Sequence, residues 1–131
     1  MIALDTNLLL RLLVNDAPGQ AAKVRALFDA HADEPSAFWI ADVVLAEIVW
    51  ALDRSYGRSR SEISMALHAL SHHANVLLES AAVMGEALVL FEEGPAHFVD
   101  CLLAAKARAA GCSSVHTFDR KMRGLPGVQL L

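Results

Sequence analysis

At 131 residues the chain is long enough to bury one core and too short for two independent ones, so a single domain over 1–131 is expected. Hydrophobic residues make up 55% and charged residues 20%, with a mean hydropathy of +0.38. That apolar excess implies helix faces covered by protein and an oligomer or partner interface. The formal charge of −4 excludes a general electrostatic grip on nucleic acid, so any RNA contact must be local.

No apolar run approaches the roughly 20 residues that span a bilayer. Met1 to Leu10 has no basic leader and carries Asp5, so it does not read as a signal peptide. A cytoplasmic protein without membrane contact is expected. Cys101 and Cys112 lack metal-ligand spacing and read as reduced, structural thiols.

In chain order, Met1 to Leu4 is a short apolar run that reads as a first strand. Asp5-Thr6-Asn7 then supplies cap and turn chemistry ahead of a helix over Leu8 to Val14. Pro18-Gly19 is expected to break that helix, and Ala21, Val24, Leu27 and Phe28 give Gln20 to His31 helical spacing. Phe38 to Ile40 reads as a strand, and Asp42 as the N-cap of a helix over Val43 to Tyr56 that Gly57 ends. Glu62 to Leu70 reads as a helix and Asn75 to Leu78 as a strand. Ser80 caps a helix to about Glu93, where Gly94-Pro95 breaks the chain. An alanine-rich helix over Phe98 to Ala110 is closed by Gly111, and Ser114 to Thr117 and Val128 to Leu131 read as the last strands. Strands alternating with helices predict an α/β domain with a parallel sheet.

Ligands of such sheets gather at the carboxyl ends of the strands. Asp5 and Asp119 fall at such ends, while Glu47 and Asp100 fall on helices that follow chain breaks. Each has a structural explanation as well: Asp5 as a helix cap, Asp100 as a first-turn carboxylate favoured by the macrodipole, and Asp119 as a turn or cap residue. Glu47 is the sole charge in Val43 to Leu52 and shares a helical stripe with Val43, Ala46 and Trp50. If buried there, its charge must be protonated, paired or bound to a cation. If the four carboxylates converge, each pair about 4 Å apart repels by roughly 4 kcal/mol at an effective dielectric of 20. A divalent cation removes that conflict, and all-oxygen ligands point to Mg²⁺ or Mn²⁺ rather than Zn²⁺.

Four segments together resemble the PIN domain family, and within it the VapC toxins of toxin-antitoxin pairs. They are Leu4-Asp5-Thr6-Asn7 with Leu8 to Leu13, Val44-Leu45-Ala46-Glu47 with Trp50, Asp100 with Leu102-Leu103-Ala104-Ala105, and Thr117-Phe118-Asp119-Arg120-Lys121. The resemblance runs nearly end to end. It implies a three-layer α/β/α sandwich around a central parallel sheet of four or five strands. It also implies a metal-dependent endoribonuclease whose catalytic and metal-binding acids are Asp5, Glu47, Asp100 and Asp119. Thr6, Asn7 and Thr117 match polar positions that orient an acid or water. A homodimer and a cognate, VapB-like antitoxin that blocks the acidic pocket are implied as partners. His97 stands where many relatives carry another acid.

Arg58, Arg60, Arg120, Lys121 and Arg123 are candidate contacts to RNA phosphates, with solvated surface charge as the structural alternative. His72-His73 reads as a loop feature, and Trp39, Trp50 and Phe91 as core or interface. A dinucleotide-binding turn is excluded because no glycine follows the first strand, and an Asp-x-Asp phosphatase because Asn7 replaces the second acid. The remaining alternative to the enzyme is a non-catalytic PIN scaffold that binds RNA or a protein.

Overall fold

The computed structural model describes residues 1–131. The chain packs as two compact units, Met1–Glu79 and Ser80–Leu131.

In the first unit, three short strands form a wholly parallel sheet: β1 (Ile2–Ala3), β2 (Phe38–Ile40) and β3 (Val76–Leu78), in the order β1-β2-β3. Ile2 lies opposite Phe38, which lies opposite Val76. Four helices connect the strands: α1 (Thr6–Leu13), α2 (Pro18–Ala30), α3 (Asp42–Arg54) and α4 (Arg60–Ser71). The core is built on β2, whose Phe38 and Ile40 are fully buried, with Leu9, Leu45, Ile48 and Leu67 contributed by three of the helices. Phe28 of α2 covers Phe38, with ring centroids 4.4 Å apart.

The second unit holds α5 (Ala81–Glu93), α6 (Phe98–Ala109), β4 (Val115–Thr117), a 3₁₀ turn (Arg120–Met122) and β5 (Val128–Leu130). The helices pack through Phe91 and Phe98, whose rings meet edge-on at 5.8 Å, and β4 pairs with β5 in parallel. The expected parallel pairing therefore holds for all five strands. They form a ladder of three and a ladder of two rather than one continuous sheet.

Several boundaries differ from the sequence reading for local physical reasons. Pro18 does not break a helix but opens α2, since a first-turn residue needs no N–H and proline already has the helical φ. Asp42 is the first residue of α3 rather than its cap, and the capping acceptor is the Glu79 carboxylate, which receives the Asp42 N–H at 3.0 Å. Helix α4 begins before Glu62, because Ser59 and Glu62 form a reciprocal capping box. Helix α3 ends at Arg54 with Ser55 as its C-cap, short of the expected Tyr56, and Gly57 lies in the turn beyond at φ +60. Cys101 is buried as expected, whereas Cys112 is exposed beyond α6; both are free thiols.

Two polar clusters hold the first unit. Arg11 bonds Asp16 at 2.8 Å and Gln20 at 2.7 Å while the Tyr56 hydroxyl donates to Asp16 at 2.9 Å, tying α1, α2 and the end of α3. Buried Asn75 directs its side-chain amide at the carbonyls of His31, Ala32 and Glu34, at 3.0, 3.2 and 2.8 Å. Asn75→Ala should lose about 1–3 kcal/mol, read by urea unfolding. Asn75→Asp should lose more, because a carboxylate facing three carbonyls has nothing to donate.

Candidate active site

Asp5 lies two residues beyond the end of β1 and occupies the N-cap position of α1, with φ −87 and ψ 159, yet its side chain makes no capping hydrogen bond. The capping explanation for its carboxylate is therefore not realised. The next residue, Thr6, is buried and donates its hydroxyl proton to Glu47 Oε2 at 3.0 Å. That bond fixes one carboxylate oxygen of α3 against the start of α1. Asn7 is exposed and makes no such bond.

Glu47 does not lie on a buried face. Val43, Glu47 and Trp50 are all exposed, with Trp50 63% accessible, while Leu45, Ile48, Val49 and Leu52 form the buried stripe. Helix α3 is apolar on both faces, and a sequence cannot say which of two apolar stripes turns inward. Trp50 is thus excluded from the core, whereas Phe91 belongs to it and Trp39 is half-buried.

In the second unit, α6 brings Asp100 into its first turn, and His97 occupies the N-cap position without a side-chain capping bond. A first-turn carboxylate is ordinarily favoured by the helix dipole. Here burial, and then the negative charge of Asp119, push the Asp100 carboxyl above its usual value, while His97 acts in the opposite sense. Asp100 and Asp119 therefore feel each other as like charges.

Asp119 is held from both sides. Its N–H donates to Thr117 Oγ1 at 3.0 Å, and its Oδ1 accepts the Lys121 N–H at 2.9 Å, capping the 3₁₀ turn. Thr117 thus holds the backbone of Asp119, and Asp119 is a cap as well as a charged neighbour of Asp100. Arg120, Lys121 and Arg123 are exposed around it. Arg58 is engaged by Glu62 at 3.7 Å, and Arg60 opens α4.

Glu79, which follows β3 and caps α3, escaped the sequence reading. The signal was present, since an acid directly after an apolar strand is the same pattern that singled out Asp5. No three His, Cys, Asp or Glu side chains gather closely enough to enclose a metal ion. The Asp100 and Asp119 carboxylates nonetheless fit a hard divalent cation in donor type, because their mutual repulsion is what such a charge relieves.

The raised Asp100 value has a definite sign. The folded state holds this proton more tightly than the unfolded chain, so stability falls as pH rises from the ordinary carboxylate range through the raised value. Asp100→Asn should accordingly melt no lower than the parent at pH 7, with a flatter dependence on pH across the acid range. Thermal unfolding at pH 4 and 7 checks this, and a lower melting temperature at pH 7 would assign Asp100 a structural role instead.

The PIN domain family model matches residues 2–128. The chain is 26% identical over 128 residues to a VapC ribonuclease of Aquifex aeolicus (strain VF5), covering 95% of this chain and 92% of that one. Among solved structures it is similar to Mycobacterium tuberculosis VapC20, described as a Sarcin-Ricin loop cleaving toxin, at 24% identity and a TM-score of 0.44, covering 98% of both chains. It is also similar to a chain of a toxin-antitoxin complex from Klebsiella pneumoniae, at 18% identity and a TM-score of 0.37, covering 98% and 96%. The family match spans nearly the whole chain and agrees with the expected α/β fold of parallel strands: this chain belongs to the PIN domain family.

Proposed function

We propose that the chain is a VapC-type toxin: an endoribonuclease that hydrolyses RNA phosphodiester bonds with Asp5, Glu47, Asp100 and Asp119 and depends on Mg²⁺ or Mn²⁺. The observation that carries this reading is the setting of Asp100, whose ionisation is opposed by burial and by the negative charge of Asp119. The chain tolerates that conflict instead of replacing an acid with an amide, as a site that receives a cation would. The relationship to a VapC ribonuclease over 95% of the chain supports the same reading.

The four acids take different parts. Glu47 presents one oxygen fixed by Thr6 and one left to bind. Asp5 stands at a strand end with its carboxylate uncommitted to the helix it precedes. Asp119 is oriented by Thr117 and by the turn it caps, which aims it without neutralising it. A hard divalent cation held by these oxygens would polarise a phosphate and provide a water-derived nucleophile for in-line attack.

With a net charge of −4, substrate attraction must come from local cations. Arg120, Lys121 and Arg123 beside Asp119 are best placed, and Arg60 and the Glu62-paired Arg58 are secondary. Exposed Val43 and Trp50 flank Glu47 on α3 and supply apolar surface that a second copy or a VapB-like antitoxin would cover. Action on RNA in the cytoplasm is part of the same proposal, and no helix is long and apolar enough to cross a membrane.

Chelator-stripped protein should cut an end-labelled structured RNA only when Mg²⁺ or Mn²⁺ is restored, and Asp5→Asn or Asp100→Asn should lose more than about 100-fold in rate. Millimolar Mg²⁺ should also raise the melting temperature by linkage. Protein that is folded, free of antitoxin and inert on several RNAs would favour the non-catalytic scaffold. Thr6→Val should lower the rate by roughly 10- to 100-fold and Thr6→Ser restore it, because only the hydroxyl holds Glu47.

A further inference from the structure

Phe118 is the most exposed large apolar side chain of the protein, 81% accessible, and unlike Met1 and Leu131, which come next, it does not lie at a chain end. It joins β4 to the 3₁₀ turn, between Thr117 and Asp119. Hydrogen bonds pin the backbone around it. The Asp119 N–H donates to Thr117 Oγ1 at 3.0 Å, closing a turn over Phe118, and the Lys121 N–H donates to Asp119 Oδ1 at 2.9 Å. Arg120, Lys121 and Arg123 follow at once, exposed, and none of their side chains is in an ion pair. Cations thus outnumber acids over Phe118 to Arg123, in a chain whose net charge is −4. A single exposed phenylalanine is ordinary on a protein surface. One held on a pinned turn, beside an acid and among unpaired cations, has the make-up of a platform for single-stranded nucleic acid, in which the ring takes a base and the cations take the backbone.

We propose that Phe118 is a base-stacking residue for the RNA: an unpaired nucleobase at or beside the scissile phosphate lies on its ring, while Arg120, Lys121 and Arg123 take neighbouring phosphates. The inference rests on the ribonuclease reading and adds a substrate class to it, RNA with an unpaired base at the cut. Consecutive Cα atoms lie about 3.8 Å apart, so a base on Phe118 belongs to a nucleotide within about one step of the phosphate that Asp119 faces. A base inside a duplex keeps its faces on its neighbours, so only a loop, a bulge or a single strand offers one. The ring turns about few torsions and its backbone is already fixed, so little freedom is lost when a base settles on it. Every base has a π-face, so Phe118 selects for an unpaired base and not for a sequence.

The test is fluorescence anisotropy of a labelled RNA single strand of about ten nucleotides, and of the same strand in a duplex, with the full chain carrying Asp100→Asn in Mg²⁺ so that the RNA stays intact. The expected result is tighter binding of the single strand than of the duplex. Adding Phe118→Ala should weaken single-strand binding about tenfold or more and leave duplex binding and the salt dependence as they were, because no phosphate contact is lost. Phe118→Trp should restore the affinity and Phe118→Leu should not, since leucine is apolar without a π-face. Single-strand binding that survives Phe118→Ala, that Phe118→Leu restores, or that never exceeds duplex binding would overturn the proposal and leave the ring to a protein partner. If Phe118→Ala fails to fold, the comparison of Trp with Leu decides. Failure of the ribonuclease reading looks different: the chain without Asp100→Asn would bind the strand through Phe118 and cut nothing, which supports the stacking site and removes the chemistry.

Discussion

The first unit depends on β2 being bonded along both of its edges. Ile2 N–H donates to Ala37 O and Leu4 N–H to Trp39 O on one side; on the other, Phe38 N–H donates to Asn75 O and Glu79 N–H to Ile40 O. Three residues thereby set the direction of three strands. Because all three run parallel, their carboxyl ends lie along one edge, and Asp5, Asp42 and Glu79 follow β1, β2 and β3 there. Glu79 caps α3, and α3 carries Glu47 back toward Thr6 at the start of α1. A single short ladder thus positions two acids 42 residues apart in the chain.

Several of the residues that matter sit at helix ends. Asp5 and His97 occupy N-cap positions, and Asp119 caps a 3₁₀ turn. Of the three at N-cap positions, only Asp119 commits its side chain to the backbone of the element it precedes. The N-cap backbone is extended, so its side chain leaves the helical stack and is available for other chemistry. The same geometry that makes these residues ordinary punctuation in a sequence makes them useful in a site.

Asp16 and Asp100 sit in opposite electrostatic surroundings. Arg11, Asp16 and Tyr56 form a cluster in which an opposite charge and a hydroxyl hold the Asp16 carboxyl below its usual value. Asp100 has the reverse environment, burial and a second carboxylate. The first arrangement stabilises the fold and the second does not, and residues retained against stability are the natural candidates for chemistry.

The sequence alone determined the order and type of the main strands and helices, because apolar periodicity and Gly and Ser punctuation act over a few residues. It also marked Asp5, Glu47, Asp100 and Asp119, since acids at strand ends and in apolar helices stand out locally and fit a family pattern. Only the tertiary structure decided which face of α3 is buried, since both of its stripes are apolar. Only tertiary contacts could show Glu79 capping α3 across 37 positions, Thr6 holding Glu47 across 41, or Asn75 reaching three carbonyls of a distant turn. Such contacts depend on pairing between strands far apart in the chain, and no local pattern encodes the partner.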